Sequence, residues 1–420
     1  MGGKLGEKLT LKNLGPLKKA TIEPRPLTVI IGPQASGKSL LAQSLYFFRG
    51  LQSHLAKRYS HEWLERSDWQ KVEIKRLLDD LRSVAFGYFS NKTGVLTYES
   101  DEEWEIKIYE LTRQISINKD LRNSLARWGE KWQEHEINAS LDIENHIFIP
   151  TERSMFTRYA DRSPSVIFDK EIQSYPFLEF AEYLSRAKAK YPKIYQDWLS
   201  KGNMSRRHFE FIMDCQLRAL SGVAYLPKKG VKLWKWWVGA AADSSGDAGV
   251  NNRKIIPIEA CASGQTEAWP FFVVASTYGT ASSLLRVGKY KRPFRHLIKS
   301  NIYLEEPEAH LHPRAQIEVA KVIAYLVNLG HPFVVTTHSP FFLYIINNML
   351  MRYMTHGKKL IDGEVGLDPD DVAVYNIENG TCRDIMDRED TKLIPATELD
   401  NVADQLGAEF DSLLDKLNRG

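Results

Sequence analysis

Hydrophobic and polar residues alternate over short runs near the N-terminus, and this spacing is typical of half-buried β-strands. Such runs stand at 9–11 and 20–22 on either side of a turn sequence, and 27–31 is a compact apolar run that predicts a third strand. From residue 38 the apolar positions recur every three or four residues, which predicts a helix over 38–48. The pattern therefore predicts antiparallel strands followed by a strand–loop–helix unit.

A second alternation of strands and a helix lies in the C-terminal third of the chain. Residues 302–304 and 333–336 are apolar runs, and residues 314–329 between them have helical spacing. A strand–helix–strand order is typical of a parallel sheet covered by helices. We therefore predict an α/β fold, in which a parallel sheet with helices is joined to the N-terminal antiparallel strands.

The middle of the chain, from about 50 to 145, is mixed and strongly charged. It has a strand-like alternation at 104–108 and helical spacing at 69–81. A short strand is predicted at 146–149, followed by several helices over 168–219. We expect these helices to break at three residues, Pro176, Pro192 and Gly202.

Two further segments have regular patterns with more than one interpretation. Residues 223–238 predict a hairpin, and its part at 232–237 mixes lysines with tryptophans, which favours one buried face over a nucleic-acid stacking surface. Near the C-terminus one helical face carries six apolar residues, Leu399, Val402, Leu406, Phe410, Leu413 and Leu417. That helix would either dock on the body of the protein or bind a partner.

Composition adds an electrostatic asymmetry to this picture. The 420 residues are 43% hydrophobic and 26% charged, as in globular proteins, and no apolar run is long enough to span a bilayer. Residues 361–420 hold 16 acidic and 5 basic side chains and carry −11, so the rest of the chain carries +14 within a total of +3. A basic body with an acidic tail could bind nucleic acid, a partner protein or a second copy of the chain. The tail could equally be an acidic surface that faces only solvent.

Cysteine usage and the N-terminal sequence concern the cellular compartment. Cys215, Cys261 and Cys382 lie far apart without a CxxC pair, which argues against a disulfide framework or a zinc site. The first residues lack an apolar signal segment. We therefore expect a cytoplasmic protein that does not enter a membrane.

The strongest chemical signal is the loop between the third predicted strand and the first helix. It matches G-x-x-x-x-G-K-[ST] in full and consists of Gly32, Pro33, Gln34, Ala35, Ser36, Gly37, Lys38 and Ser39. Successive N–H groups of such a loop point at phosphate oxygens. Lys38 is predicted to reach the β- and γ-phosphates, and the Ser39 hydroxyl to ligate Mg²⁺.

Two other strands end in residues that suit phosphate chemistry. The apolar strand at 302–304 leads into Glu305 and Glu306, one of which would ligate Mg²⁺ while the other acts on the attacking water. The strand at 333–336 leads to His338, which would reach the same edge of a parallel sheet.

Two weaker motifs lie nearby. Residues 261–267 place small side chains before a helix predicted from Ala268, an arrangement that suits an anion. Glu308, His310 and His312 together suggest a metal cluster, but the flanking prolines favour a turn.

In this order, the motifs resemble those of ABC-class ATPases of the SMC, RecF and OLD type. The resemblance implies that 32–39 is the Walker A loop, Glu305 the Walker B acid, Glu306 the catalytic glutamate and His338 the switch histidine. It implies that 262–265 is the signature loop, of which the nucleotide-binding residues are Ser263, Gly264 and Gln265. The N-terminal strands and residues 149–154 resemble the prokaryotic AAA_15 and AAA_21 ATPases, many of which serve anti-phage defence, as in the PARIS, Septu and retron systems.

This resemblance also implies a division of the chain. An ABC-type ATPase head would comprise 1–50, 146–155 and 220–360. Residues 51–145 and 156–219 would form an inserted, mostly helical lobe. Residues 361–420 would be an acidic C-terminal extension that ends in an amphipathic helix.

The implied function is an ATP- and Mg²⁺-dependent switch with slow hydrolysis. It would oligomerise, at least to a dimer, with ATP sandwiched between subunits, and control a separate nuclease effector in response to a phage-derived trigger. Two alternatives stay open. One is a DNA-binding repair ATPase of the RecF or SMC kind, and the other is a nucleotide-gated scaffold with negligible hydrolysis, since Ala262 stands where the signature usually has serine.

Overall fold

The structure is a computed structural model, and its described part comprises many separate ranges of the chain. These ranges are 6–51, 53, 94–100, 105–109, 114–124, 145–158, 175–200, 204–225, 235–238, 254–257, 260–280, 282–285, 294–297, 299–357, 363–399 and 407–412. The helix predicted over 69–81 and most of the predicted C-terminal helix lie outside them.

The strands and helices follow each other as the sequence pattern predicts over much of the chain. The strands are β1 Lys8–Leu14, β2 Leu17–Ile22, β3 Leu27–Ile31, β4 Val95–Glu99, β5 Glu105–Tyr109, β6 Gln114–Ile117, β7 Asn145–Ile149, β8 Gly222–Tyr225, β9 Lys235–Val238, β10 Lys254–Pro257, β11 Ser282–Leu285, β12 Phe294–Leu297, β13 Ser300–Glu305, β14 Phe333–Thr337, β15 Val372–Glu378 and β16 Thr381–Asp384. The helices are α1 Lys38–Arg49, α2 Ser154–Arg158, α3 Tyr175–Ser200, α4 Met204–Leu220, α5 Ser263–Tyr278, α6 Pro313–Asn328, α7 Pro340–His356 and α8 Ala396–Leu399.

One large sheet organises the molecule, in the strand order β6-β5-β4-β1-β2-β16-β15-β3-β14-β13-β7. From β15 to β7 each strand runs parallel to its neighbour. From β6 to β2 each pair is antiparallel. The predicted α/β fold, a parallel sheet extended by N-terminal antiparallel strands, is therefore confirmed.

Burial of the strands matches these two arrangements. Every residue of β13 and β14 is buried, because helices cover both faces of the parallel end. α1 packs on one face together with the N-terminal strands, and α3 to α7 pack on the other. In β1 buried and less buried residues alternate over the first four positions, as in a strand with one solvent-facing side.

The sheet does not end at the predicted domain boundaries. β4, β5 and β6 lie within 51–145 and continue its antiparallel end. β15 lies within 361–420 and pairs with β3 in the interior of the sheet. Among the described acidic residues of that segment, Glu378 lies in β15 and the others lie outside it, so the average charge concealed a buried strand over 372–375.

The helices on the second face differ from the prediction at one proline. α3 continues through Pro192, which was expected to end a helix. A proline inside a helix costs about 3 kcal/mol. Packing of α3 against α5 and β7 outweighs this cost.

Two smaller sheets complete the described strands. β8, β9 and β10 form an antiparallel sheet, and Gly222 lies opposite Val238, so the predicted hairpin is confirmed as a pair of strands. Its turn lies outside the described residues. β11 pairs with β12. Among the described helices none is long and apolar enough to cross a membrane.

Candidate functional site

The loop at 32–39 joins β3 to α1 and is shaped by two glycines. Gly37 has φ +103°, and a Cβ there would lie 2.8 Å from Leu17 Cγ. A Cβ on Gly32 would lie 2.7 Å from the Ile377 carbonyl oxygen of β15. No side chain caps the N-terminus of α1, and its first turn holds no acid. The N–H groups at this end are therefore suited to bind an anion.

Lys38 lies folded back along this loop. Its Nζ donates hydrogen bonds to the carbonyl oxygens of Gly32 (2.9 Å) and Pro33 (2.8 Å), and lies 3.3 Å from His338 Nδ1. Burial lowers the pKa of Lys38, while the acids at 305–308 oppose that shift. The ammonium therefore lies between the loop and the acidic strand end, where it can turn from its own carbonyls towards a phosphate.

Glu305 ends β13 beside the start of α1. Burial raises the pKa of Glu305 to about 7, and hydrogen bonds from Ser39 and the Thr151 backbone oppose the shift. Thr151 Oγ1 is 3.4 Å from Glu305 Oε2, whereas the buried Oε1 has no hydrogen-bond partner. An orphaned carboxylate oxygen beside a hydroxyl is a hard oxygen donor set, which fits Mg²⁺.

Glu306 and His338 face each other across the ends of β13 and β14. Glu306 Oε1 lies 3.1 Å from His338 Nε2, and both side chains are 31% exposed. Glu306 has φ +44°, and its N–H donates to the Thr336 carbonyl oxygen at 2.8 Å. The carboxylate is thus turned towards the histidine and still open to water.

Glu308 holds the end of β14, a role that sequence reasoning missed. Its Oε1 accepts hydrogen bonds from Thr337 Oγ1 and from the His338 N–H, both at 2.7 Å. His312 Nδ1 instead accepts from the Arg314 N–H and caps α6. Among the described residues no group of three or more His, Cys, Asp or Glu side chains forms a metal cluster.

The segment predicted as the signature loop opens α5, which begins at Ser263 and not at Ala268. Gln265 Oε1 accepts from the Ala262 N–H at 3.0 Å, and its Nε2 donates to the Leu220 carbonyl oxygen at 2.7 Å. These bonds start the helix early and occupy the Gln265 side chain within the chain itself. Ala262 and Ser263 are exposed.

The structure thus brings some predicted residues together and places others elsewhere. Lys38, Ser39, Glu305, Glu306 and His338 converge where three parallel strands end. Ser263, Gly264 and Gln265 have other neighbours: Ser263 accepts from Thr266 of its own helix, Gly264 lies against the turn after β13, and Gln265 donates to the end of α4. Two contributors besides Glu308 were missed, Thr151 and Arg153, and their only signal was the short sequence that follows β7.

Comparison with known proteins places the chain in a family. Residues 27–343 match the family described as "AAA domain, putative AbiEii toxin, Type IV TA system". The chain belongs to this AAA family. With the phosphate-binding loop and the acidic strand end, this membership supports an ABC-class ATPase. No curated protein matches the chain.

Solved structures of ATPase heads are similar to this AAA protein at low identity. An Smc head bound to the C-terminal winged-helix domain of ScpA is 15% identical with a TM-score of 0.39, covering 90% of this chain and 96% of that one. The SMC head domain from Thermotoga maritima is 11% identical with a TM-score of 0.36, covering 91% and 98%. The ADP conformation of MJ1267, an ATP-binding cassette of an ABC transporter, is 13% identical with a TM-score of 0.31, covering 90% of each chain.

Proposed function

We propose that the chain is an ATP-hydrolysing switch that works as an oligomer and controls a separate effector. The observation that carries the proposal is the convergence of Lys38, Glu305 and the Glu306–His338 pair on one phosphate-binding loop. Phosphoryl transfer depends mainly on positioning and charge stabilisation, and these groups supply both.

The order of events follows from the contacts of Lys38. On ATP binding the ammonium leaves the carbonyls of Gly32 and Pro33 and turns to the phosphates, while the N-terminus of α1 binds them through N–H groups. Ser39 and Glu305 would hold Mg²⁺, which supplies neutralisation of phosphate charge.

Hydrolysis is assigned to the pair at the strand ends. Glu306 accepts the proton of the attacking water, and His338, held by Glu308, lies between this carboxylate and Lys38. Because His338 contacts both groups, it is placed to register whether Lys38 is bound to its own loop or to a phosphate. His338 is therefore proposed as the sensor of the γ-phosphate.

A second subunit would complete the site. Ser263 is exposed at the N-terminus of α5, where its hydroxyl and the helix N–H groups can meet the nucleotide of another copy. Ala262 removes one hydroxyl from this segment, which supports slow turnover. The description of the family includes a putative toxin of a type IV toxin–antitoxin system. We propose that the effector is a nuclease and that the pair serves anti-phage defence.

The test measures ATP turnover and ATP binding of the wild type, two site variants and two control variants. Glu306→Gln is expected to lower turnover at least 100-fold with binding retained, and Lys38→Ala to weaken both. Lys119→Ala and Glu23→Gln, exposed side chains away from the loop, serve as matched controls. Unchanged turnover in both site variants would overturn the assignment, and wild-type protein without turnover would leave a nucleotide-gated scaffold.

Binding of duplex DNA is a second candidate, favoured by one surface. Lys12 and Lys19 lie opposite each other on the exposed side of β1 and β2, and like charges in such a pair repel. A phosphate backbone would neutralise both. DNA binding that weakens steeply with salt would support this function, and no binding at low salt would remove it.

A further inference from the structure

Arg153 lies in the turn between β7 and α2 and is only 1% exposed. Its guanidinium donates four hydrogen bonds, all to main-chain oxygens. Nε donates to Glu267 (2.9 Å), Nη1 to Pro150 (3.0 Å) and Glu305 (2.7 Å), and Nη2 to Glu306 (2.8 Å). One side chain therefore joins the end of β7, the end of β13 and the beginning of α5.

The charge of Arg153 is matched inside the protein. Glu267 Oε1 lies 3.7 Å from Nε, and both side chains are at most 4% exposed. Burial lowers the pKa of Arg153, and Glu267 is the main group that opposes the shift. Removing a cation from water is costly, and here the cost is offset by the set of carbonyls, by this carboxylate and by the nearby carboxylates of Glu305, Glu306 and Glu308.

Two further contacts connect the same elements independently of Arg153. Thr157 Oγ1, on α2, donates to the Thr266 carbonyl oxygen of α5 at 2.7 Å. A Cβ on Gly264 would lie 2.6 Å from the His310 carbonyl oxygen, so the first turn of α5 rests directly on the turn that follows β13. α5 is therefore in contact with α2 and with the turn that follows the acidic end of β13.

We infer that Arg153 is a positioning residue that couples the Ser263 end of α5 to the backbone of Glu305 and Glu306. The inference rests on the proposed function, in which Ser263 contacts the nucleotide of a second subunit. When α5 moves on contact with that nucleotide, the Arg153 guanidinium transmits the movement to Glu305 and Glu306 of the same chain. In a dimer, ATP at one site would thereby set the geometry of hydrolysis at the other.

The side chain at 153 has to be arginine for this role. The planar guanidinium presents five N–H donors in a fixed fork, four of which are used here, whereas an ammonium has three donors and no fork. Glu306 also has a positive φ, a conformation that costs energy for a side-chain-bearing residue and that the tether on its carbonyl helps to fix. Arg153→Lys keeps the charge and removes the bridging geometry.

The experiment compares full-length wild-type protein with Arg153→Lys. ATP turnover is measured against ATP concentration, and affinity is measured with a non-hydrolysable ATP analogue. Coupling predicts a Hill coefficient above 1 in the wild type that falls to 1 in the variant, a kcat at least tenfold lower, and an analogue Kd within threefold. Arg218→Lys, a partly exposed arginine paired with Glu318 on another face, is the matched control and is expected to behave as wild type.

A second variant keeps the inference testable if Arg153→Lys fails to fold. Thr157→Val removes only the hydrogen bond to α5 and is expected to lower kcat and the Hill coefficient in the same direction, by a smaller factor. A wild-type Hill coefficient of 1, or variants with wild-type kcat and cooperativity, would overturn the coupling. If Glu306→Gln has also left turnover unchanged, the proposed function itself fails; if it abolishes turnover, only the coupling is lost.

Discussion

The two ends of the large sheet are built on different hydrophobic patterns and do different work. At the parallel end, β3, β13 and β14 are almost completely buried, and the chemistry gathers where these strands end. At the antiparallel end, β1, β2, β4 and β5 keep a solvent-facing side that carries lysines, threonines and glutamates. Because both faces of β3, β13 and β14 are buried, the ends of these strands are the place where polar side chains can converge.

The antiparallel end still reaches the site at one point. Leu17 of β2 packs against Gly37 of the phosphate-binding loop. Its contribution is shape, since a leucine side chain cannot bind a phosphate. If one end of the sheet supplies the chemistry and the other supports it, substitutions at the two ends should have different effects.

The largest effect is expected where the two ends touch. In Gly37→Ala the alanine would have to keep φ +103°, and its Cβ would lie 2.8 Å from Leu17 Cγ. The loop must therefore open. Affinity for Mg²⁺–ATP, measured by calorimetry, is expected to fall at least 100-fold, which is about 3 kcal/mol. Gly6→Ala, where a Cβ meets nothing within 4 Å, is the control. Affinity within threefold of wild type would contradict the role of this contact.

At the start of the parallel strands, remote from the site, a substitution should affect the stability of the protein and not its chemistry. His331 precedes β14, and its Nδ1 accepts from the Ser300 N–H of β13. Burial lowers the pKa of His331 from 6.5 to about 4. Between these values the unfolded chain takes up a proton that the folded chain does not, so stability should fall by roughly 3 kcal/mol as the pH drops from 6.5 to 4.

Denaturant unfolding across this pH range is the measurement for His331. His331→Gln should flatten the dependence, whereas His356→Gln, at an exposed position, should leave it as in the wild type. A parallel pH profile in wild type and His331→Gln would show that the proton is taken up elsewhere.

A smaller effect on turnover is expected at the end of β14. Glu308→Ala removes the acceptor for Thr337 Oγ1 and the His338 N–H, so the histidine loses its fixed position. We expect kcat about tenfold lower, or about 1.4 kcal/mol, with ATP affinity retained. Glu308→Gln retains an acceptor and should lie between the wild type and Glu308→Ala. A loss of affinity equal to the loss of kcat would instead assign Glu308 to nucleotide binding.

The smallest effect is expected on the solvent-facing side of the antiparallel end. Lys19→Glu replaces a like-charge pair with Lys12 by an opposite one and should stabilise the fold by about 0.2–1 kcal/mol. ATP turnover should stay within twofold of the wild type. A larger change in turnover would mean that this face takes part in the reaction, and thermal unfolding with an ATPase assay decides both points.

How much the sequence predicts depends on whether the signal is local. The strand–loop–helix around Gly32 and Lys38 was predicted almost to the residue, because strand, glycines and helix are adjacent in sequence. The parallel pairing of β13 with β14 followed from their buried runs and the helix between them.

The features that sequence reasoning missed depend on distant partners. β15 was concealed by the acidic residues around it, and its burial depends on β3, which lies more than 300 residues earlier. Arg153 lies in the segment 149–154, for which the resemblance implied no role of single residues, and its importance depends on carbonyls of β13 and α5 that only the fold brings near. Pro192 was misjudged because packing of α3 outweighed the local preference.

The position of β15 has a consequence for synthesis of the protein. β3 is translated more than 300 residues before β15, its neighbour in the sheet at Val372–Glu378. The carbonyl of Ile377 also supports Gly32 in the phosphate-binding loop. A nascent chain therefore cannot bring this carbonyl against Gly32 until β15 has been translated, and pairing across so long a separation slows folding. Products that stop before residue 372 would lack this support for the loop.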